Sequence, residues 1–206
     1  FITYEDLIKY NNNELALPEY VVLLTFDDGY IDNFVGVFPI LKKYGVQGSF
    51  FIPGKTFYEN VLLDVNKIHF ILACANKQDL LKDLYYELDA QREKHPWLES
   101  NELLFKTYAV ENRFDTKETI FIKRVLQNGI DEEIRKEISS KLFKKYVNVP
   151  ENVFARELYM NRNQIRLMRD EGMFIGLHGY DHYWLDTLPP DEIRKDISKA
   201  LEVMDE

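Results

Sequence analysis

The sequence holds one cysteine, Cys74, so it has no intramolecular disulfide and no cysteine-rich zinc site. It also lacks positive charge. Lys and Arg number 26 against 35 Asp and Glu, a formal net charge of -9. That balance argues against a general binder of nucleic acid or of anionic membranes, since both need cationic surface. No apolar run is long enough to span a bilayer. Internal repeats and low-complexity stretches are missing too. No signal peptide is visible, which sets the cytoplasm as the expected compartment. The chain starts at Phe1 rather than Met, which leaves an upstream segment open. Histidine is scarce, with four in 206 residues, and two of them fall within a single five-residue stretch.

What is present suits one folded domain. The sequence is 46% hydrophobic, enough for a core that carries an inserted subdomain. "VVLLTF" (residues 21–26) is a continuous apolar run of the kind a doubly covered parallel strand needs. Phe34, Val37, Phe38, Leu41 and Tyr44 follow at helical spacing, with Gly45 as the stop. Pro39 inside that pattern predicts a kink or a late helix start. "VQGSFFI" (46–52) predicts a second strand, ended by Pro53 and Gly54. Strand, helix, strand is a βαβ unit.

Between about 60 and 150 the strand signals vanish and charged helical patterns take over. Asp115 to Glu118 reads as a capping box that opens a helix closed by Gly129. Asp131 is placed to cap a further helix with the apolar stripe Ile134, Ile138, Leu142 and Tyr146. The block is expected to be a helical insertion in a single domain spanning 1–206. It should roof a substrate groove or make a contact between copies in a homo-oligomer. The α/β rhythm then returns: a helix over 161–171 with Ile165 and Met168 inward, a strand "MFIGLH" (173–178), and a last helix after Pro189 and Pro190. Its apolar face is expected to be Ile193, Ile197, Ala200, Leu201 and Met204.

Two clusters stand directly after strands. Asp27 and Asp28 follow the first apolar run, where two adjacent carboxylates repel each other. His178 and His182 flank the loop after "MFIGL". In parallel α/β folds functional residues collect at the C-terminal ends of strands. Taken singly, "DDG" is an ordinary turn and two histidines four apart are an ordinary solvated loop. Taken together they point to a metal. One carboxylate is neutralised by a cation, and the other serves as a base beside it. One Asp with two His leaves a position open for water, as catalytic zinc requires. His69 and His95, inside the helical block, read as structural or solvent-facing.

"TFDDGY" followed by a strand ending in "HGYDH" resembles the polysaccharide deacetylase (NodB-homology) family, carbohydrate esterase family 4. The resemblance covers residues 20–54 and 160–206. It implies an irregular (β/α) barrel, incomplete here because the strands are few, and hydrolysis of N-acetyl groups on an amino sugar or polysaccharide. It further implies Asp27 as the catalytic base and Asp28, His178 and His182 as ligands to a divalent metal, Zn²⁺ first. Tyr180 or Trp184 could stack on a sugar ring of the N-acetylated carbohydrate. Gly179 stands where the family usually has Ser or Thr, whose hydroxyl steadies the loop. The family's later Arg-containing, Trp-bearing and His motifs are not recognisable before Glu206. The expectation is either a piece of a longer protein or a chain without the general acid. A phosphotransferase of the haloacid dehalogenase type needs the second Asp two positions after the first, where this chain has Gly29. A carbohydrate-binding or interaction protein on the same scaffold, catalytically impaired, is the other alternative.

Overall fold

The computed structural model describes residues 1–111 and 113–205. The elements run α1 (Tyr4–Asn11), β1 (Thr25–Asp27), α2 (Phe38–Tyr44), β2 (Ser49–Ile52) and α3 (Gly54–Tyr58). Then come α4 (Asp64–Cys74), α5 (Lys77–Arg92), α6 (Asn101–Tyr108), α7 (Lys117–Arg124) and α8 (Glu132–Tyr146). The chain continues through α9 (Glu151–Leu158), α10 (Arg162–Asp170), β3 (Phe174–Leu177) and α11 (Pro190–Asp205). Two compact units result: residues 1–61 with the stretch from Phe154 onward, and Leu62–Val153. The architecture is α/β, helix-rich, with a small parallel sheet. Among the described residues no helix is long and apolar enough to cross a membrane.

In the first unit the three strands lie side by side in the order β1-β2-β3, all parallel. Alternation along each strand assigns the faces. Phe26, Phe50 and Ile175 share one row and one face, with the Phe26 and Phe50 rings stacked at 4.9 Å. That face carries the core, closed by Leu41 of α2, Ile165 and Met168 of α10, and Ala200 and Val203 of α11. The opposite face carries Asp27, Phe51 and Gly176 in one row. There Tyr4 stacks on Phe174 at 4.1 Å and meets Phe51 edge-on at 5.7 Å.

Several sequence expectations change here. The predicted strand over 21–26 contracts to Thr25–Asp27. Val21 and Val22 are 40% and 49% exposed, and the Val22 carbonyl accepts from the Ile2 N–H, so this run is not doubly covered. A π-turn, Asn33–Val37, precedes α2, which therefore starts late, with Pro39 in its first turn where no N–H is needed. Gly45 closes α2 at φ 64°. On α11 the buried positions are Asp196, Ala200 and Val203, while Ile197 and Leu201 are 41% and 52% exposed. The inward face is rotated by about one residue from the predicted stripe.

The second unit is helical: among the described residues of 62–153 there is no strand. α8 packs on α4 and α5, and buries Ile134, Ile138 and Leu142. Tyr146 is half-buried, its hydroxyl donating to Asp83. The expected capping box does not form: Thr116, not Asp115, is the cap of α7 and makes no side-chain cap bond, while Asp115 pairs with Lys123 at 2.6 Å. Asp131 sits at the cap position of α8, but its carboxylate accepts from the Trp97 indole at 2.9 Å and not from the helix. Lys67 is 5% exposed, held by Asp64 at 3.2 Å and Glu151 at 2.8 Å.

Candidate functional site

β1 delivers Asp27 on the exposed face of the sheet, opposite Phe26. The next two residues both take positive φ, 68° at Asp28 and 68° at Gly29. That reversal breaks the strand's alternation, so Asp28 is not carried over to the core face as the next strand residue would be. The turn is pinned by Met160, whose N–H donates to the Gly29 carbonyl at 2.9 Å. Gly29 could carry no side chain, because a Cβ there would lie 2.7 Å from Ile52. β3 continues its ladder one step past its end, with the His178 N–H donating to the Ile52 carbonyl at 3.2 Å. Gly179, at φ 70°, then turns the chain, and His182 itself sits at φ 60°. Five non-glycine residues have positive φ among those described. Three are Asn, which tolerates it well; the other two are Asp28 and His182. Such backbone outliers cluster at functional sites.

Asp28, His178 and His182 meet. Oδ1 of Asp28 lies 3.5 Å from Nε2 of His178 and 3.3 Å from Nε2 of His182. The two imidazoles cross edge to face at 4.7 Å. The three ligand atoms all lie within 4.8 Å of one another. The His182 hydrogen bond is the largest influence holding the Asp28 carboxyl below its ordinary range, against the opposing effect of burial, with Tyr30 and His178 also helping. Two uses of this cluster differ in their distances. A charge-assisted hydrogen bond closes to about 2.7–2.9 Å. Ligand bonds of about 2.0–2.1 Å arranged tetrahedrally give edges of about 3.3–3.4 Å. The two Asp28–His separations, 3.5 and 3.3 Å, lie close to such edges. Two imidazoles and one carboxylate are also the donor types that zinc takes.

The polysaccharide deacetylase family matches this chain over residues 15–206. The chain belongs to that family. A protein of Bacillus subtilis (strain 168), named provisionally as the polysaccharide deacetylase YxkH, is 53% identical over 38 residues. That stretch is 18% of this chain and 14% of the relative, so the match spans only a small part of the relative's length. No solved structure matches the chain significantly.

The other residues singled out in this polysaccharide deacetylase family member fall in different places. Tyr180 is a correction: its ring is fully buried over Gly54, where a Cβ would meet it at 2.7 Å, so it has no face to offer a sugar. Its hydroxyl donates to Glu59, and Lys199 lies 3.7 Å from its ring centre. The Glu59 bond and burial together raise the Tyr180 hydroxyl well above the ordinary phenol range, burial first. Trp184 is 53% exposed, two residues beyond His182. In the helical unit His69 is exposed, and His95 is half-buried, edge-on to Trp97 at 4.9 Å. The residue that sequence reading missed is Asp196. Its carboxylate accepts from the N–H groups of Tyr180 and Asp181, inside the loop between the two histidines. The signal was a lone carboxylate three residues after Ile193 and four before Ala200, on the inward face of an amphipathic helix.

Proposed function

We propose that the chain is a metal-dependent hydrolase that removes N-acetyl groups from an amino sugar or its polymer. The observation that carries this reading is the meeting of Asp28, His178 and His182, with Asp27 adjacent, at the C-terminal ends of β1 and β3. The carbohydrate substrate follows from family membership. Asp28, His178 and His182 would hold one divalent ion, and zinc suits the donor set with one position left open. Such an ion, when bound, supplies Lewis acidity toward an acetamide carbonyl and makes water a stronger acid.

The rest falls to the chain. Asp28 lies against both imidazoles, and in this reading the neighbouring exposed carboxylate of Asp27 would accept a proton from the attacking water. Adjacent carboxylates can share such a task because their environments differ: one is anchored by His contacts, the other open to solvent. In this reading β1, β2 and β3 belong to an irregular (β/α) barrel, and Leu62–Val153 is an insertion within one deacetylase domain.

Acetate release from N-acetylglucosamine oligomers and bound-metal stoichiometry test the assignment together. Asp27→Asn should lower turnover by roughly 10²–10⁴-fold, the usual worth of a general base, with metal content unchanged. Asp28→Asn and His178→Ala should lose metal and turnover alike. A wild-type protein that takes up no divalent metal, or an Asp27→Asn protein that loses it, would sink these roles.

A further inference from the structure

Asp196 is 6% exposed, on the inward face of α11. Carboxylates are rarely buried this far unless they are paired or hydrogen-bonded. Both of its oxygens are spent on backbone. Oδ2 accepts from the Tyr180 N–H at 2.9 Å and Oδ1 from the Asp181 N–H at 2.8 Å. The same short segment is held from its other side by the turn after β2. The Gly54 N–H donates to the Gly179 carbonyl at 3.0 Å, and the Lys55 N–H donates to the Tyr180 carbonyl at 3.1 Å. The Lys55 ammonium also pairs with the Asp181 carboxylate. Four backbone groups of residues 179–181 are thus fixed, and the two histidines stand at either end of that fixed stretch.

The geometry points to Asp196 as the positioning residue that aims His178 and His182. It touches neither imidazole and acts through the backbone between them. An ionised acceptor suits the task, since N–H bonds to a carboxylate are roughly twice as strong as those between neutral groups. Gly179 belongs to the same device: a Cβ at that position would lie 2.8 Å from Asp196 Oδ2. The carboxylate that holds this loop arrives from α11. Histidine ligands held at positive φ, as His182 is at 60°, depend on such external support, because the backbone conformation is not one the residue prefers.

This inference rests on the reading of Asp28, His178 and His182 as a metal centre, and the experiment separates the two. Metal-stripped protein is titrated with Co²⁺ and Zn²⁺ by calorimetry, and the Co²⁺ absorption spectrum reports the ligand geometry. Asp196→Asn turns an amide nitrogen toward one of the two N–H donors. It should bind either ion about 10–100-fold more weakly, as loss of a group that orients ligands does, with a changed Co²⁺ spectrum. Leu41→Ala, in the core beside Gly48 at the other end of β2, should lower the melting temperature yet keep wild-type affinity and spectrum. Asp196→Ser keeps one acceptor and serves, with the same expectation, if the Asn variant does not fold. If Asp196→Asn binds Co²⁺ as the wild type does while Asp28→Asn does not, the metal centre stands and the role of Asp196 falls. If the wild type binds no Co²⁺, or Asp28→Asn binds it normally, both readings fall.

Discussion

A single missing methyl group matters at Gly179. Its φ of 70° and the Asp196 oxygen 2.8 Å from any Cβ act at one position. A left-handed backbone costs an ordinary L-residue about 1–2 kcal/mol. Asp196 cannot swing aside cheaply, since both its oxygens are engaged. Gly179→Ala should therefore lower stability by about 2 kcal/mol or more. Gly36→Ala, where a Cβ meets nothing within 4 Å, should be neutral or slightly stabilising. Denaturant melts of the two variants check this, and equal midpoints would refute it. The candidate site was legible in the sequence as far as residue types went, because Asp27 with Asp28 and His178 with His182 gather at the ends of two strand-like runs. Their aim was not legible. It depends on positive φ at Asp28 and His182, which no spacing rule announces. Tyr180 shows the same limit. An aromatic beside two histidines suits a sugar platform or a core equally well, and the choice was made by Gly54, far away in sequence, leaving room for the ring.

Helices and strands were legible unevenly, and for physical reasons. α10 came out as read because its signals are local: an Asn161–Gln164 capping box at the start and Gly172 at φ 89° at the end. β1 did not, because a parallel strand extends only as far as its partner, and pairing with β2 begins at Thr25 opposite Ser49. On α11 the hydrophobic pattern alone could not anticipate that a carboxylate, Asp196, takes an inward position and turns Ile197 outward. α8 illustrates how charge adds to such packing. Lys141 reaches Glu137 on its own helix and Glu87 on α5, each at 2.9 Å. The hydrogen bond from Lys141, followed by that from Gln91, holds the Glu137 carboxyl down to about 2. A depressed carboxyl adds stability above its unfolded pKa of about 4.3 and loses it as pH falls toward the folded value. Acid unfolding followed by helical circular dichroism should thus steepen between about pH 4.3 and 2. Glu137→Gln should flatten that segment. The pair is partly exposed, so added salt should shrink the difference as well. An acid limb unchanged in Glu137→Gln would count against the pair.

At the scale of the whole chain, the family match over residues 15–206 brackets both units, although the recognisable motifs sit near Asp27 and near His178. Hydrophobic spacing changes near residue 60, where strand-like runs give way to helical ones, and the second unit begins close by at Leu62. The chain's connectivity carries a kinetic cost. β2 and β3 are neighbours in the sheet, yet pairing Ser49 with Phe174 closes a loop of about 125 residues. Such closures are slow, because chain entropy is surrendered before any contact repays it. A helical block that has already folded within the loop would shorten its disordered part to about a quarter, recovering roughly 0.6 kcal/mol per halving. The helices rely on contacts between near neighbours in sequence, so they have a head start. Ile138→Ala, which empties a fully buried position on α8, should then slow the step in which the Gly48–Ile52 and Met173–His178 amides become protected, although none of those residues touches it in sequence. Pulse-labelled hydrogen exchange during refolding reads this, and an unchanged rate would mean that the sheet closes without waiting for the helices. Asp28 and His178 lie on opposite sides of that loop, so the candidate centre can gather its ligands only after this long closure. A metal ion added at the start of refolding should therefore leave the folding rate unchanged and act almost wholly by slowing the return journey.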